Sequence, residues 1–184
     1  MSSHHVCPWW FAYTFDNPLR KLFHKPATML GDYVHEGMIV MDVGCGMGYF
    51  TLGMAELVGN EGKVVAVDLQ QEMLDIMQKR ATKKGLLHRI VPVLAEPDSI
   101  NHNAPVDFIL AFWMVHETPD PESFFRQAAA LLKFSAKLFY AEPAFHVSLE
   151  RYREILTAAE KSGLAVSKEP AVRFSHAALL EKVV

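Results

Sequence analysis

Three glycines at alternate positions, in Asp42-Val43-Gly44-Cys45-Gly46-Met47-Gly48-Tyr49, interrupt the chain directly after the short apolar run Ile39 to Val43. An apolar run of that length, cut off by glycine, predicts a buried strand. Tyr49 to Val58 then places apolar residues at helical spacing, so the segment predicts a strand–turn–helix unit. Glycine lets the main chain bend sharply and leaves room for a ligand against it. The helix directs its first free N–H groups at the same space.

The alternation recurs along the chain. The turn Gly59-Asn60-Glu61-Gly62 precedes a valine-rich strand, Lys63 to Val67. Gln70 to Lys84 sets Met73, Leu74, Met77 and Ala81 on one helical face, and Gly85 follows as a C-cap. Strands are predicted at Ile90 to Leu94, Val106 to Phe112 and Lys137 to Tyr140. Helices are predicted at Pro121 to Leu132, with proline in the first turn, and at Leu149 to Lys161, ended by Gly163. Leu164 to Val172 and Ala178 to Val184 read as two closing strands, the last stretch equally as helix. Strands alternating with helices of this length predict parallel βαβ units in a three-layer α/β sandwich. Ligands of such sheets bind beyond the carboxyl ends of the strands, where the strand order reverses.

A chain of 184 residues, 51% hydrophobic, has the length and the material for one domain. The formal charge of −3, with no lysine- or arginine-rich block, gives no footprint for nucleic acid or for an anionic membrane. The longest apolar runs, such as Phe108 to Val115, fall far short of the roughly 20 residues of a membrane span. Two cysteines, Cys7 and Cys45, make no disulfide framework, and no signal peptide is evident, so a cytoplasmic location is expected.

Asp68 closes the second strand, 20 residues after Gly48. An acid there accepts hydrogen bonds from both hydroxyls of a ribose and disfavours a 2′-phosphate. A dinucleotide loop would carry its third glycine where Tyr49 stands, so a nicotinamide oxidoreductase is disfavoured. Asp42 to Gly48 resembles the first signature of the class I S-adenosylmethionine-dependent methyltransferases. Val64-Val65-Ala66-Val67-Asp68 with Met73-Leu74 is similar to their second. Asp107-Phe108-Ile109-Leu110-Ala111 and Ala141-Glu142-Pro143 resemble their strand-four and strand-five segments. The resemblance covers about residues 25 to 184 and is nearest to the small-molecule branch that includes ubiquinone and menaquinone biosynthesis methyltransferases. One departure is Phe134-Ser135, where that family has a glycine pair before strand five.

The resemblance implies a Rossmann-like αβα sandwich with a mostly parallel seven-stranded sheet and one antiparallel strand. It implies S-adenosylmethionine as cofactor and in-line methyl transfer to a small-molecule acceptor. Gly44, Gly46 and Gly48, with Cys45, would border the methionine part of the cofactor, and Asp42 would hold its amino group. Asp68 would take the ribose hydroxyls and Leu69 would pack on adenine, with Phe112 completing the site. Glu96 would receive the adenine amino group, Asp98 being the competing candidate. The alternative is a non-catalytic S-adenosylmethionine-binding sensor or partner protein.

The loop Trp113-Met114-Val115-His116-Glu117 lies where the family contacts the acceptor, and His116 is the candidate general base. Its competing role is to cap local backbone groups. Glu142 and His146 follow strand five and are candidates to converge on the same cleft, with Trp113 and His146 in the acceptor pocket. The chain divides into an aromatic N-terminal segment, 1–30, and the cofactor-binding domain, 31–184. Trp9 and Trp10 either lid the acceptor pocket or cover a sheet edge or a homodimer interface. No metal site is expected, because His4, His5 and Cys7 match no ligand spacing.

Overall fold

A computed structural model describes residues 23–183. Its seven strands are β1 (Ile39–Val43), β2 (Lys63–Asp68), β3 (Ile90–Leu94), β4 (Val106–Phe112), β5 (Leu132–Pro143), β6 (Leu164–Lys168) and β7 (Ser175–Lys182). They form one sheet in the order β3-β2-β1-β4-β5-β7-β6. The first five are parallel, and β7 runs antiparallel to both β5 and β6. The α-helices that flank them among the described residues are α1 (Pro26–Leu30), which precedes β1, and α2 (Tyr49–Leu57), α3 (Gln71–Lys83), α4 (Pro121–Leu131) and α5 (Leu149–Lys161).

Strand alternation sends successive side chains to opposite faces, and each face has its own helices. Met41, Val65, Ile109 and Tyr140 point to the side covered by Phe124 and Phe125 of α4 and Tyr152 and Ile155 of α5. Val40, Val64, Phe108 and Phe139 point to the side covered by Leu30 of α1, Met54 of α2 and Leu74 and Met77 of α3. Burying a side chain such as Phe125, fully enclosed here, is worth about 2 to 3 kcal/mol. The outer strand β3 contains Pro92, which pairs with Ala66 on one side and blunts the free edge on the other.

Three sequence expectations are corrected. β5 extends from Leu132 to Pro143, well beyond Lys137 to Tyr140, because it resumes pairing with β4 after an irregularity between Val106 and Phe108. Ser135, standing where a glycine was expected, takes φ 60°, and Phe134 projects into solvent. β6 stops at Lys168, short of Val172, and the second closing strand, which holds over the helical alternative, runs from Ser175 to Lys182 rather than from Ala178 to Val184. No described helix is long and apolar enough to cross a membrane.

Candidate functional site

The strand order reverses between β1 and β4, which pair on neighbouring sides of the sheet centre. Beyond their carboxyl ends opens a cleft of about 680 Å³, within the range usual for small-molecule sites, roughly 300 to 1,000 Å³. Its wall brings together residues from the loops after β1, β2, β3, β4 and β5.

The glycine loop forms the floor. Gly44 and Gly46 line the cleft with φ of 70° and 52°. A Cβ on Gly44 would press on Met114 at 2.9 Å, whereas one on Gly46 would meet nothing within 4 Å. Gly48 does not line the cleft: its Cβ would strike Met77 Cγ at 2.5 Å, so that glycine lets α2 start close against α3. Asp42, buried, accepts a 2.5 Å hydrogen bond from Thr51 Oγ1 at the start of α2. Cys45 is buried beneath the loop, and burial, then the charges of Asp42 and Asp68, push its thiol pKa well up. It is therefore held as the neutral thiol.

Asp68 ends β2 and joins the two loops. The backbone N–H of Gly46 donates to its Oδ2 at 2.8 Å, and that of Gln70 to its Oδ1 at 3.0 Å. Burial raises its carboxyl pKa above the ordinary value, although the N–H donors of Gln70, Gly46 and Leu69 pull it down. Leu69 beside it lines the cleft and is 40% exposed, an apolar surface facing open space. Glu96 and Asp98 both reach the wall, on a tight turn closed by paired backbone hydrogen bonds between Glu96 and Ser99. Gln127 of α4 pins that turn, donating to the Asp98 carbonyl and accepting from the Ile100 N–H.

At the other end stand Phe112, Trp113, Met114, His116, Phe145 and His146. Trp113 adopts φ 62°, an uncommon conformation for a bulky residue. It is held there by its backbone N–H on the Ala141 carbonyl (2.8 Å) and its indole N–H on Ser175 Oγ (2.9 Å). Its ring stacks on Phe112 and meets Phe145 edge-on. The rings of His116 and His146 are 5.1 Å apart. Glu142 is not on the wall but fully buried behind it, 2.5 Å from His116 Nδ1 through Oε2. Trp9, Trp10, His4, His5 and Cys7 lie outside the described residues.

Gln127 and Phe145 carry no mark in the sequence. A polar residue in an amphipathic helix and an apolar residue in a loop give no local signal, since their place on the wall follows from tertiary packing.

Comparison with known proteins agrees with this fold. A family model described as a methyltransferase domain matches residues 34–173. The ubiquinone biosynthesis O-methyltransferase of Actinobacillus pleuropneumoniae is 29% identical over 150 residues, which is 74% of this chain and 62% of that protein. The one of Colwellia psychrerythraea is 27% identical over 124 residues, 67% of this chain and 48% of that protein. The chain thus spans less than two thirds of either relative. The crystal structure of an S-adenosylmethionine-dependent methyltransferase from Aquifex aeolicus superimposes with a TM-score of 0.85 at 25% identity, covering 97% of this chain and 100% of that one.

Proposed function

Because the chain belongs to the methyltransferase domain family, with S-adenosylmethionine as its cofactor, we propose that it methylates a small-molecule acceptor held beside that cofactor in the cleft. The observation that carries this reading is the charge of the wall. Six acids line it, Asp42, Asp68, Glu96, Asp98, Glu117 and Asp120, with no lysine or arginine among the described residues there. A sulfonium and an ammonium against one carboxylate make the cofactor a net cation, which such a wall attracts. The pyrophosphate of a dinucleotide would instead meet like charge from these carboxylates.

The residues present fit the group. The side of Gly46 that a Cβ would occupy is open, which leaves bare backbone for the methionine part, and Asp42 stands beneath it for the ammonium. Asp68 offers a carboxylate to the ribose hydroxyls, Leu69 an apolar face to adenine, and Glu96 or Asp98 an acceptor for the adenine amino group. Cys45 and Phe112 close the space around them. When bound, the cofactor supplies an electrophilic methyl group on a positively charged sulfur. Trp113, Phe145 and His146 flank the acceptor's side of the cleft, and His116 takes the proton that a neutral acceptor must lose. Orientation in the cleft contributes the rest, since displacement requires an in-line approach. The relatives' names specify O-methylation, which supports a hydroxyl on a small molecule as the acceptor. Residues 31–184 then form the cofactor-binding domain, with α1 (Pro26–Leu30) packed against it through the buried Leu30.

Calorimetry with S-adenosylhomocysteine, on wild type and Asp68→Ala, tests the reading. Micromolar binding that collapses in the variant is expected, together with no measurable binding of NADH. Binding without turnover on any acceptor would instead favour a sensor. Failure of the wild type to bind would overturn the proposal.

A further inference from the structure

Glu142 is fully buried, and one residue, His116, reaches both oxygens of its carboxylate. The backbone N–H of His116 donates to Oε1 at 3.0 Å, and His116 Nδ1 lies 2.5 Å from Oε2. The two residues are 26 positions apart and meet because β4 and β5 pair in register, Phe112 opposite Ala141. Other polar groups surround this pair among the described residues. Tyr140 precedes Glu142 on the same face of β5, and its phenol is held protonated by burial and by the Glu142 charge. Tyr152 stacks on Tyr140, and burial, with Glu169 and Glu142, holds its phenol protonated too. His176 faces Glu142 across the β5–β7 register, the His146 ring abuts that of His116, and Glu117 Oε1 is 3.9 Å from His116 Nε2.

A carboxylate this deep is costly unless its charge and lone pairs are answered. Here His116 answers both oxygens. An ionised carboxylate only accepts, so Nδ1 must carry the ring proton and donate it. The lone pair of the neutral imidazole then sits on Nε2, at the opposite edge of a ring that lines the cleft.

We propose that Glu142 is the positioning residue of this site: it holds His116 as the Nδ1–H tautomer with Nε2 bare toward the acceptor. The inference rests on the methyltransferase reading for its purpose, though not for its test. In that setting an acceptor hydroxyl passes its proton to Nε2, its oxygen forms the new bond to the methyl carbon, and the carbon–sulfur pair stays on sulfur. Glu142 itself touches neither cofactor nor acceptor, since it lies off the cleft wall.

Glu142→Gln is the discriminating change. An amide keeps the shape but offers one acceptor oxygen to two donors. The backbone N–H of His116 cannot change role, so the amide oxygen pairs with it and the NH2 faces Nδ1. The ring must then accept at Nδ1 and move its proton to Nε2, which removes the base from the cleft. Nitrogen-15 NMR of the imidazoles reads this directly, with the His116 signals assigned by their loss in His116→Asn. The expected result is Nδ1–H in the neutral wild type and Nε2–H in Glu142→Gln. S-adenosylhomocysteine should bind the variant within about threefold of wild type, which shows that the fold is kept. A wild type found as the Nε2–H tautomer, or a tautomer unmoved by the substitution, would overturn the proposal. The wild-type spectrum suffices if the variant does not fold. A wild type that binds no S-adenosylhomocysteine would sink the methyltransferase reading while leaving the tautomer result to stand alone.

Discussion

Thr51 Oγ1 donates a 2.5 Å hydrogen bond to Asp42 Oδ2 and so ties the first turn of α2 to the end of β1. Both residues are buried, and the bond fixes the rotamer of a carboxylate that forms part of the cleft floor. Thr51→Val keeps the branched shape and deletes the donor. A charged acceptor that loses a buried partner costs about 1 to 3 kcal/mol, which urea denaturation would register. Affinity for S-adenosylmethionine should fall about tenfold as Asp42 loses its fixed orientation. An affinity equal to wild type would show that Asp42 does not hold the cofactor.

Two neighbouring glycines should separate folding from binding. Gly48 has φ 83° and would place a Cβ 2.5 Å from Met77 Cγ, inside the α2–α3 contact. Gly48→Ala therefore combines overpacking with backbone strain and should lower stability by about 2 to 4 kcal/mol. Gly46 has φ 52° but faces open space, so Gly46→Ala should cost only about 1 kcal/mol in stability. Its methyl group would stand where the cofactor's backbone contacts belong, and S-adenosylhomocysteine binding should be lost. Thermal melting and calorimetry on both variants check the pair, and equal stability losses would contradict it.

These glycines also show how much was legible in the sequence. The loop and its place after β1 could be read because a buried parallel strand is a continuous apolar run, and glycine sustains at least cost the turns that follow. Asp68 could be read for the same reason, as the polar end of the valine-rich β2. The separate duties of Gly46 and Gly48 could not, because Met77 reaches Gly48 only when α3 packs on α2. The full length of β5 was hidden too: its first half pairs with β4 across an irregularity, and Ser135 takes a glycine-like φ with no glycine to signal it. Glu142 was legible as a residue near the cleft, but its place behind His116 depends on the β4–β5 register.

The raised pKa of Asp68 gives binding a pH dependence with a defined sign. Burial, the largest cause, keeps the proton on this carboxyl to a higher pH than on an ordinary aspartate. A protonated Asp68 accepts fewer hydrogen bonds, so its hold on the ribose weakens as pH falls through that raised value. Stability of the unliganded fold runs the other way. The folded pKa exceeds the unfolded one, so this group's contribution is full below the unfolded value and is lost as pH rises through the folded one. S-adenosylhomocysteine affinity, measured from neutral pH downward, should therefore decline while the unliganded protein loses no stability on account of Asp68. Asp68→Asn, weak throughout, should show a flat profile over the same range, and a parallel decline in both proteins would assign the effect to another group.

Tyr152 offers a test of the interior behind the site. Its ring stacks on Tyr140 with centroids 5.3 Å apart, and its hydroxyl is buried with no hydrogen-bond partner among the described residues. Burying such a hydroxyl forfeits its hydrogen bonds to water, and on folding nothing replaces them. Tyr152→Phe keeps the stack and the apolar contacts of α5 while deleting the group that goes unanswered. Stability should rise by about 1 kcal/mol, seen as a higher urea midpoint with an unchanged slope. Cofactor affinity should stay at the wild-type value, because Tyr152 does not line the cleft. A loss of about 1 kcal/mol or more instead would mean that an ordered water bridges this hydroxyl to its surroundings.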